Sequence, residues 1–407
     1  MSCPDPCFRF APGNSNTVHT NRLKISALLA LCCPALFAAA PAQADERKVT
    51  PSLDLREEYS DNLFLTRDNQ ESDAITTVSP GLAYSQRSER GEFDLRARLD
   101  SVHYAERTDL DSTDKEVKAR FGYSPSQLLR LGADGMWSRD SRLDRDLETT
   151  GLAYSASRRT RQTYNLNGSL QLSEKDMLQL DAGVSQDRYA NPALSDVDGT
   201  TGRLAWNSDC SRYFTNLVGL VQINYGRYEY PSATVNTYTL GVGGEKKLSE
   251  VWSVNGWLGP SYTQTEYSSS FGGTTEDTGL SGSLGLERTW ETASLSLTLS
   301  QSVAPDSGRN STVNRSSAGA KYKKQLSEDL VLGLDLRYFR NDTDSDNPSL
   351  DLDEHNYQFM PNASYRLTED IRLESSYQHM SIDDKTDGTS RRRNLVFVKI
   401  VFSHAFD

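Results

Sequence analysis

The fold is decided by a short polar motif, "LSEDL" at residues 326–330, which lies between two segments of alternating apolar and polar residues. Near copies recur as "LSEKDM" at 172–177, "LSEVW" at 248–252 and "LTEDI" at 367–371. Ser and Asp favour tight turns where the chain meets water. One turn type repeated along a changing sequence therefore predicts a series of β-hairpins that all reverse direction at the same level.

The segments between these turns have a period of two, which is typical of strands with one apolar face. In one of them Leu332, Leu334 and Leu336 alternate with Gly333 and Asp335. A transmembrane helix would need about 20 consecutive apolar residues, and the sequence after its N-terminal segment offers no such run. The chain is therefore predicted to be all-β.

Short turns and longer polar segments alternate along the chain, as in bacterial outer-membrane barrels with short periplasmic turns and longer extracellular loops. Eight short turns plus one strand at each end predict a transmembrane antiparallel up-and-down β-barrel of about 18 strands, with 16 as the alternative. We expect each strand to have about 9–11 residues and both termini to lie in the periplasm. The short turns are centred near Ser88, Ser126, Ser173, Cys210, Ser249, Glu291, Ser327 and Thr368.

Aromatic residues near both ends of the predicted strands resemble the interfacial girdles of such barrels. A soluble solenoid or propeller, the alternative, would place its aromatic residues in a core at one position per repeat. Those near the short turns are Tyr84, Tyr123, Trp206, Tyr213, Trp252, Trp290 and Tyr365. Those near the longer segments are Tyr104, Trp137, Tyr225, Tyr262, Tyr338, Tyr357 and Tyr377.

The N-terminus is typical of a secretory signal peptide. Arg22 and Lys24 precede the apolar stretch "ISALLALCCPALFAAA", and an Ala-Gln-Ala triplet ends at Ala44. An uncleaved anchor is the alternative. We expect residues 1–44 to be a signal peptide and residues 45–407 to be the outer-membrane barrel.

The C-terminus "NLVFVKIVFSHAFD" resembles the assembly signal of outer-membrane barrels, which ends on an aromatic residue, although Asp407 follows Phe406 here. This resemblance implies the outer-membrane assembly machinery as a partner. The apolar face of the predicted last strand is formed by Val396, Val398, Ile400, Phe402 and Phe406.

Composition excludes several classes of protein. The net charge of −12 disfavours a nucleic-acid partner, and only Cys210 lies beyond residue 44, which excludes an internal disulfide. His103, His355 and His379 map near the outer rim, but neither G-x-S-x-G nor H-E-x-x-H occurs. We expect no enzyme, no catalytic residue and no cofactor.

Residues 55–85, "LREEYSDNLFLTRDNQESDAITTVSPGLAYS", resemble the opening of the β-barrel porin 2 family and its relatives associated with polysaccharide or exosortase systems. The resemblance implies an outer-membrane pore, in some relatives linked to extracellular polysaccharide, and hence polysaccharide export proteins as partners. The matching residues are Tyr59, Asp61, Asn62, Asp73 and Pro80-Gly81-Leu82.

Polar residues opposite the apolar faces are expected to line a water-filled lumen, as in barrels of 16–18 strands. Mixed charges favour a hydrated lumen that balances its own charge, and a basic ladder for an acidic glycan is the alternative. The candidates for lining the lumen are Arg96, Arg98, Lys118, Arg120, Asp335, Arg337 and Glu374.

Three predicted extracellular segments carry further charge. Residues 138–161 either extend the barrel wall as a tall hairpin or fold inward. Arg391, Arg392 and Arg393 are candidates for contacting lipopolysaccharide phosphates, or else they line the rim. A weak calcium candidate, whose alternative is a solvated acidic loop, consists of Asp342, Asp344, Asp346 and Asp353.

The sequence thus predicts an integral bacterial outer-membrane barrel, in contact with outer-membrane lipid and lipopolysaccharide. The function we expect is a porin-like, water-filled conduit for solutes or for export of an extracellular polysaccharide. The alternatives are a non-conducting structural or docking barrel for a periplasmic or surface partner and, less favoured, an outer-membrane enzyme.

Overall fold

The computed structural model describes residues 46–141, 157–268, 273–306, 311–343 and 352–406. These residues form eighteen β-strands and one single-turn 3-10 helix, Thr108–Leu110. In this part of the chain, no helix has the length and apolar character needed to span a membrane.

The strands follow one another in chain order. In order they are β1 Glu46–Ser60, β2 Asp73–Arg87, β3 Gly91–Tyr104, β4 Ser112–Tyr123, β5 Leu129–Asp140, β6 Arg159–Gln171, β7 Asp176–Tyr189, β8 Val197–Asp209, β9 Leu217–Glu229, β10 Ala233–Lys247, β11 Trp252–Tyr267, β12 Thr274–Thr289, β13 Ala293–Asp306, β14 Ser311–Gln325, β15 Leu330–Thr343, β16 Leu352–Arg366, β17 Ile371–Asp384 and β18 Thr389–Ser403.

Each strand pairs antiparallel with its neighbours in sequence, and β1 also pairs with β18, so the sheet closes on itself. At the closure Leu53 lies opposite Phe402 of β18 on one side and Pro80 of β2 on the other. The described chain is therefore a closed up-and-down barrel of 18 strands. This confirms the predicted fold class and the higher of the two predicted strand numbers.

The repeated turn motif closes its hairpins through a side-chain hydroxyl. In six of the predicted turns this oxygen accepts the backbone N–H three residues further on, at 3.0–3.2 Å. Satisfying that N–H locally lets the chain reverse without a longer loop. The accepting residues are Ser88, Ser126, Ser173, Ser249, Ser327 and Thr368.

The strands are longer than the sequence analysis predicted. Their lengths run from 12 residues in β4 and β5 to 16 residues in β11 and β12, against an expectation of about 9–11. The expected length covers only a bilayer crossing, whereas backbone pairing continues through polar sequence beyond it. Several segments expected to be long loops are consequently mostly strand, and only residues 230–232 connect β9 to β10.

Tyrosines on adjacent strands form part of a girdle on the outside of the barrel. Tyr225, Tyr238 and Tyr262 occupy paired positions on β9, β10 and β11, with successive ring centroids 5.2 and 6.4 Å apart. Tyr338 and Tyr357 form a similar pair at 5.1 Å. These tyrosines therefore lie at one level near the long-loop end, as the girdle prediction requires.

Tyr104 departs from that pattern. It lines a cavity within the mouth of the barrel rather than the outer surface. The prediction that Tyr104 lies near the long-loop end of its strand is correct, but the period-two alternation of the strand places its side chain on the interior face.

Candidate functional site

The candidate functional site is the interior of the barrel together with the loop that folds into its mouth. Alternate residues of each strand face inward, and these are mainly polar. On β1, Asp54, Glu58 and Ser60 are buried, whereas the intervening Leu55 and Tyr59 are exposed on the outside. This arrangement is the reverse of that in a soluble β-barrel, since the polar groups are enclosed and the apolar groups are not.

Four of the seven predicted lumen residues, Arg96, Arg98, Lys118 and Arg120, lie on the interior face of β3 and β4. The guanidinium of Arg98 donates to Asp100 at 2.5 Å, to Ser79 at 3.0 Å and to Asp54 at 3.2 Å. Lys118 Nζ lies 2.8 Å from Glu116. Carboxylates on the same wall therefore neutralise part of this basic group.

The other three predicted lumen residues lie on a separate part of the wall. Arg337 donates to Asp335 on β15 at 2.6 Å. Glu374 on β17 lies 2.7 Å from both Arg372 and Lys399. The structure therefore does not bring all seven residues together. Both parts of the wall contain ion pairs with carboxylates, which fits a lumen of balanced charge better than a continuous basic ladder.

The first connection, residues 61–72, folds into the mouth of the barrel, and we call it the inner loop. Its Leu65 is only 1% exposed and packs against Met380 and Ile382 on the inward face of β17. Leu65 holds a left-handed backbone conformation, with φ of +53°. Because non-glycine residues seldom adopt this conformation, the inner loop has a defined shape that its contacts maintain.

Two adjacent residues fix the start of the inner loop to β18. The carboxylate of Asp61 accepts the backbone N–H of Asn394 at 2.7 Å and its side-chain amide at 2.6 Å. Asn62 is fully buried. Its amide donates to the carbonyls of Thr66 and Arg392 at 2.7 and 2.9 Å, and its oxygen accepts the N–H of Thr66 at 3.0 Å.

The end of the inner loop is fixed to the second connection, residues 105–111. Asp73 accepts the backbone N–H groups of Glu106 and Arg107 at 3.1 and 2.9 Å. The Arg107 guanidinium pairs with Glu71 and lies 5.0 Å from the centre of the Phe64 ring. The two connections therefore form one interlocked unit across the mouth of the barrel.

Charge pairing also shifts acidic groups in this unit. The side-chain hydrogen bond from Arg107, 2.8 Å from each oxygen, lowers the pKa of Asp109. The backbone N–H of Tyr104 donates to Asp111 at 2.9 Å, and this bond is the main cause of the lowered pKa of Asp111. The charged form of both carboxylates is therefore favoured by these contacts in the folded protein.

Three residues of the family-like motif thus have structural roles that the sequence did not reveal. Asp61, Asn62 and Asp73 hold the inner loop, although the motif contains no catalytic or metal-binding pattern. Short polar side chains where one strand ends and the next begins were the available signal, because such residues often bond nearby backbone groups. Their partners on β18 and beyond β3 could not be predicted from that signal.

The arginine triplet divides between the two faces of β18. Arg391 pairs with Glu354, which is 2% exposed, and Arg393 is 3% exposed. Arg392 alone is exposed. Arg391 and Arg393 therefore lie on the interior face of β18, because successive residues of a strand point to opposite faces. Of the three candidates for lipopolysaccharide contact, only Arg392 faces outward.

The calcium candidate is only partly described. Asp344 and Asp346 lie outside the described residues. Asp342 and Asp353 are paired across β15 and β16, and Arg340 lies 3.9 and 3.0 Å from their respective carboxylates. In the described ranges, no group of three or more His, Cys, Asp or Glu side chains is arranged to hold a metal ion.

The longest predicted loop, residues 138–161, is described only at its two ends, because residues 142–156 lie outside the described ranges. The hypotheses of a tall hairpin and of an inward fold both concern that portion. Its described ends include the last residues of β5 and the first residues of β6. There Arg159 lies 3.5 Å from Asp140, and both are buried.

The rim histidines make polar contacts on the outer face. His103 lies 3.0 Å from Ser101 Oγ and 3.3 Å from Asp111, and His379 lies 2.8 Å from Asn394. The first group has the atoms of a hydrolase triad. It is exposed on a strand whose residues pair with both β2 and β4, so strand pairing engages the backbone N–H groups that could bind an oxyanion.

No family model and no curated protein matches this sequence. The FrpB iron transporter from Neisseria meningitidis (F5-1 variant, apoprotein form) is similar in structure, with a TM-score of 0.50 and 12% identity over 82% of this chain and 61% of that chain. That likeness shows the fold. Acinetobacter baumannii OccAB4 has a TM-score of 0.49 and 10% identity, over 90% of this chain and 100% of that chain.

The chain spans only 61% of the length of the FrpB chain, so the activity of a whole relative does not transfer to it as a finding. Because no family model matches, the resemblance of residues 55–85 to the β-barrel porin 2 family stays a prediction.

Proposed function

We propose that this protein is an integral barrel of the bacterial outer membrane that forms a water-filled conduit. The observation that carries this proposal is the reversal of polarity across the wall. Apolar side chains such as Leu166, Leu180 and Leu258 are 57–61% exposed on the outside, while the inside holds ion pairs and hydroxyl groups.

Hydrocarbon surroundings remove the free-energy cost of exposing that apolar outer surface to water. Each Å² of apolar surface left in water costs about 25 cal/mol, and exposed apolar residues occur on strands all around the barrel. In a bilayer the same residues lie in hydrocarbon, and a closed barrel leaves no strand edge unpaired. Signal-peptide cleavage after Ala44 and periplasmic termini belong to the same proposal.

The cargo we propose is a solute or an extracellular polysaccharide in export. For the polysaccharide, the barrel would act with polysaccharide export proteins. The resemblance of residues 55–85 to polysaccharide-associated barrels supports the second cargo. Neither cargo requires enzymatic activity of the barrel, because a concentration gradient or a partner protein would drive its movement.

A specific observation favours a second candidate function, a barrel that stays closed or serves as a docking structure until a partner binds. The inner loop occupies the mouth through Leu65 and is anchored to β18 by Asn62 and Asp61. Such a barrel would conduct only after the inner loop is displaced.

Single-channel conductance in a planar bilayer distinguishes the two functions. A conduit should give a steady current. Small polyethylene glycol, which enters the lumen, should reduce that current, and large polyethylene glycol, which is excluded from the lumen, should not. Absence of current from refolded protein that still shows heat-modifiable mobility would overturn the open conduit in favour of the closed barrel. Deletion of the gene should reduce surface polysaccharide if that polymer is the cargo.

A further inference from the structure

The interior wall has an uncharged region in mid-barrel on β9 to β12. Hydroxyl and amide side chains dominate there, in contrast to the ion pairs of β1, β3, β15 and β17. Such groups can donate and accept hydrogen bonds without imposing a net charge. The residues are Gln222, Asn224, Thr237, Thr239, Ser261 and Ser281.

Two aromatic side chains lie over glycines on this wall. A side-chain carbon added to Gly241 would lie only 2.6 Å from the Trp257 ring, and one added to Gly199 would lie 3.4 Å from the Tyr228 ring. Each ring therefore covers the space above a glycine, because glycine has no side chain to prevent this close approach to the backbone. Both rings therefore lie close to the wall.

Trp257 and Tyr228 both line one cavity of about 500 Å³ inside the barrel, together with Asn224, Thr237 and Thr239. This volume lies within the range of about 300–1,000 Å³ that is usual for small-ligand sites. The cavity therefore combines apolar ring surface with several hydrogen-bonding groups.

The charges around this cavity disfavour an anionic ligand. Asp134, Asp181 and Arg203 also line it. Arg203 lies 3.7 Å from Asp181 and donates to Gln222 at 3.0 Å, so its charge is already engaged. Two carboxylates against one engaged guanidinium repel acidic ligands but accept hydrogen bonds from hydroxyl groups.

We propose that this cavity binds a segment of an uncharged glycan, with a sugar ring against Trp257 and hydroxyl groups bonded to Asn224, Thr237 and Asp181. Sugar rings present C–H groups on their faces and hydroxyl groups at their edges, which match an aromatic ring beside amides and carboxylates. This inference rests on the proposed conduit and names its substrate class. It argues against an acidic glycan.

Block of single-channel current by maltohexaose tests the proposal. Maltohexaose should interrupt the current of the wild-type barrel, and hexagalacturonate at the same concentration should do so much less. Trp257→Ala should raise the half-blocking concentration about tenfold, equivalent to about 1.4 kcal/mol, while Trp257→Phe should have a smaller effect. The matched control is Trp252→Ala, because Trp252 lies against Arg288 at a short turn, far along β11 from the cavity.

Equal block of wild-type and Trp257→Ala barrels, or stronger block by hexagalacturonate, would overturn the site. Tryptophan fluorescence of the folded protein in detergent gives a second readout that needs no current. A maltohexaose-dependent change that Trp257→Phe abolishes supports the site even if the barrel does not conduct, in which case only the open conduit fails. No fluorescence change and no block by maltohexaose would overturn the glycan site itself.

Discussion

At the scale of single residues, the mouth of the barrel depends on short acidic and amide side chains with several partners each. Asp61 accepts two hydrogen bonds from Asn394, and Asn62 bonds both the inner loop and β18. A short side chain loses little conformational entropy when it is fixed, so each such contact retains most of its stabilising effect.

We expect Asp61→Ala to loosen the inner loop, because it removes two hydrogen bonds to a carboxylate. Each such bond contributes up to about 3 kcal/mol to stability. Amide hydrogen exchange in residues 61–72 should accelerate and single-channel noise should rise, with the barrel still folded. Asp68→Ala is the control, since the Asp68 side chain is 83% exposed in the same loop. Identical exchange in both variants would contradict the anchoring role.

At the scale of elements, two connections close over the mouth as one unit, and their contacts depend on pH. The lowered pKa values of Asp109 and Asp111 mean that their charged forms are favoured in the folded protein. The contribution of these two carboxylates to the stability of the folded unit is therefore present above the ordinary carboxyl pKa of about 3.9. It is lost as the pH falls through their lowered pKa values.

We accordingly expect the exchange of residues 105–111 to be unchanged between about pH 7 and 5, after correction for the intrinsic rate, and to accelerate below about pH 4. In Asp109→Asn, the amide hydrogens of residues 105–111 should exchange faster already at neutral pH, because the amide side chain cannot form the charged pair with Arg107. A wild-type protein whose protection falls between pH 7 and 5 would show that another group controls this unit.

Shortening the inner loop tests its role directly. Replacing residues 62–71 by a short Gly-Ser link should increase conductance, because Leu65 and its neighbours then leave the mouth. Folding should persist, since the eighteen strands of the described chain pair without the loop. Unchanged conductance and polymer exclusion would place the narrowest part of the lumen elsewhere.

At the scale of the whole molecule, the two faces of the wall require different solvents. Leu180 is 58% exposed on the outer face of β7, and a charge there would meet hydrocarbon in a bilayer. Leu180→Arg should lower the free energy of unfolding by about 2–4 kcal/mol in lipid vesicles. Gln179→Arg, which places the same charge on the interior face, should cost much less. Equal losses in denaturant titrations would contradict the assigned faces.

The sequence predicted much of this architecture because its signals are local. The hydroxyl of Ser327 bonds a backbone group three residues away, and the alternation around Leu334 is set by neighbouring positions. Strand number followed by counting such turns. Strand length did not, because the sequence marks where apolar character ends and not where backbone pairing ends.

The sequence by itself therefore determined the barrel, its strand order and the alternation of apolar and polar faces along the strands, since period-two alternation and tight turns are properties of adjacent residues. Only the tertiary structure decided where the inner loop lies, that Arg391 and Arg393 are enclosed, and that Trp257 and Tyr228 line one cavity. The anchoring contacts of the inner loop join residues far apart in the chain, such as Asp61 and Asn394, and they form only when closure of the barrel brings β18 beside β1.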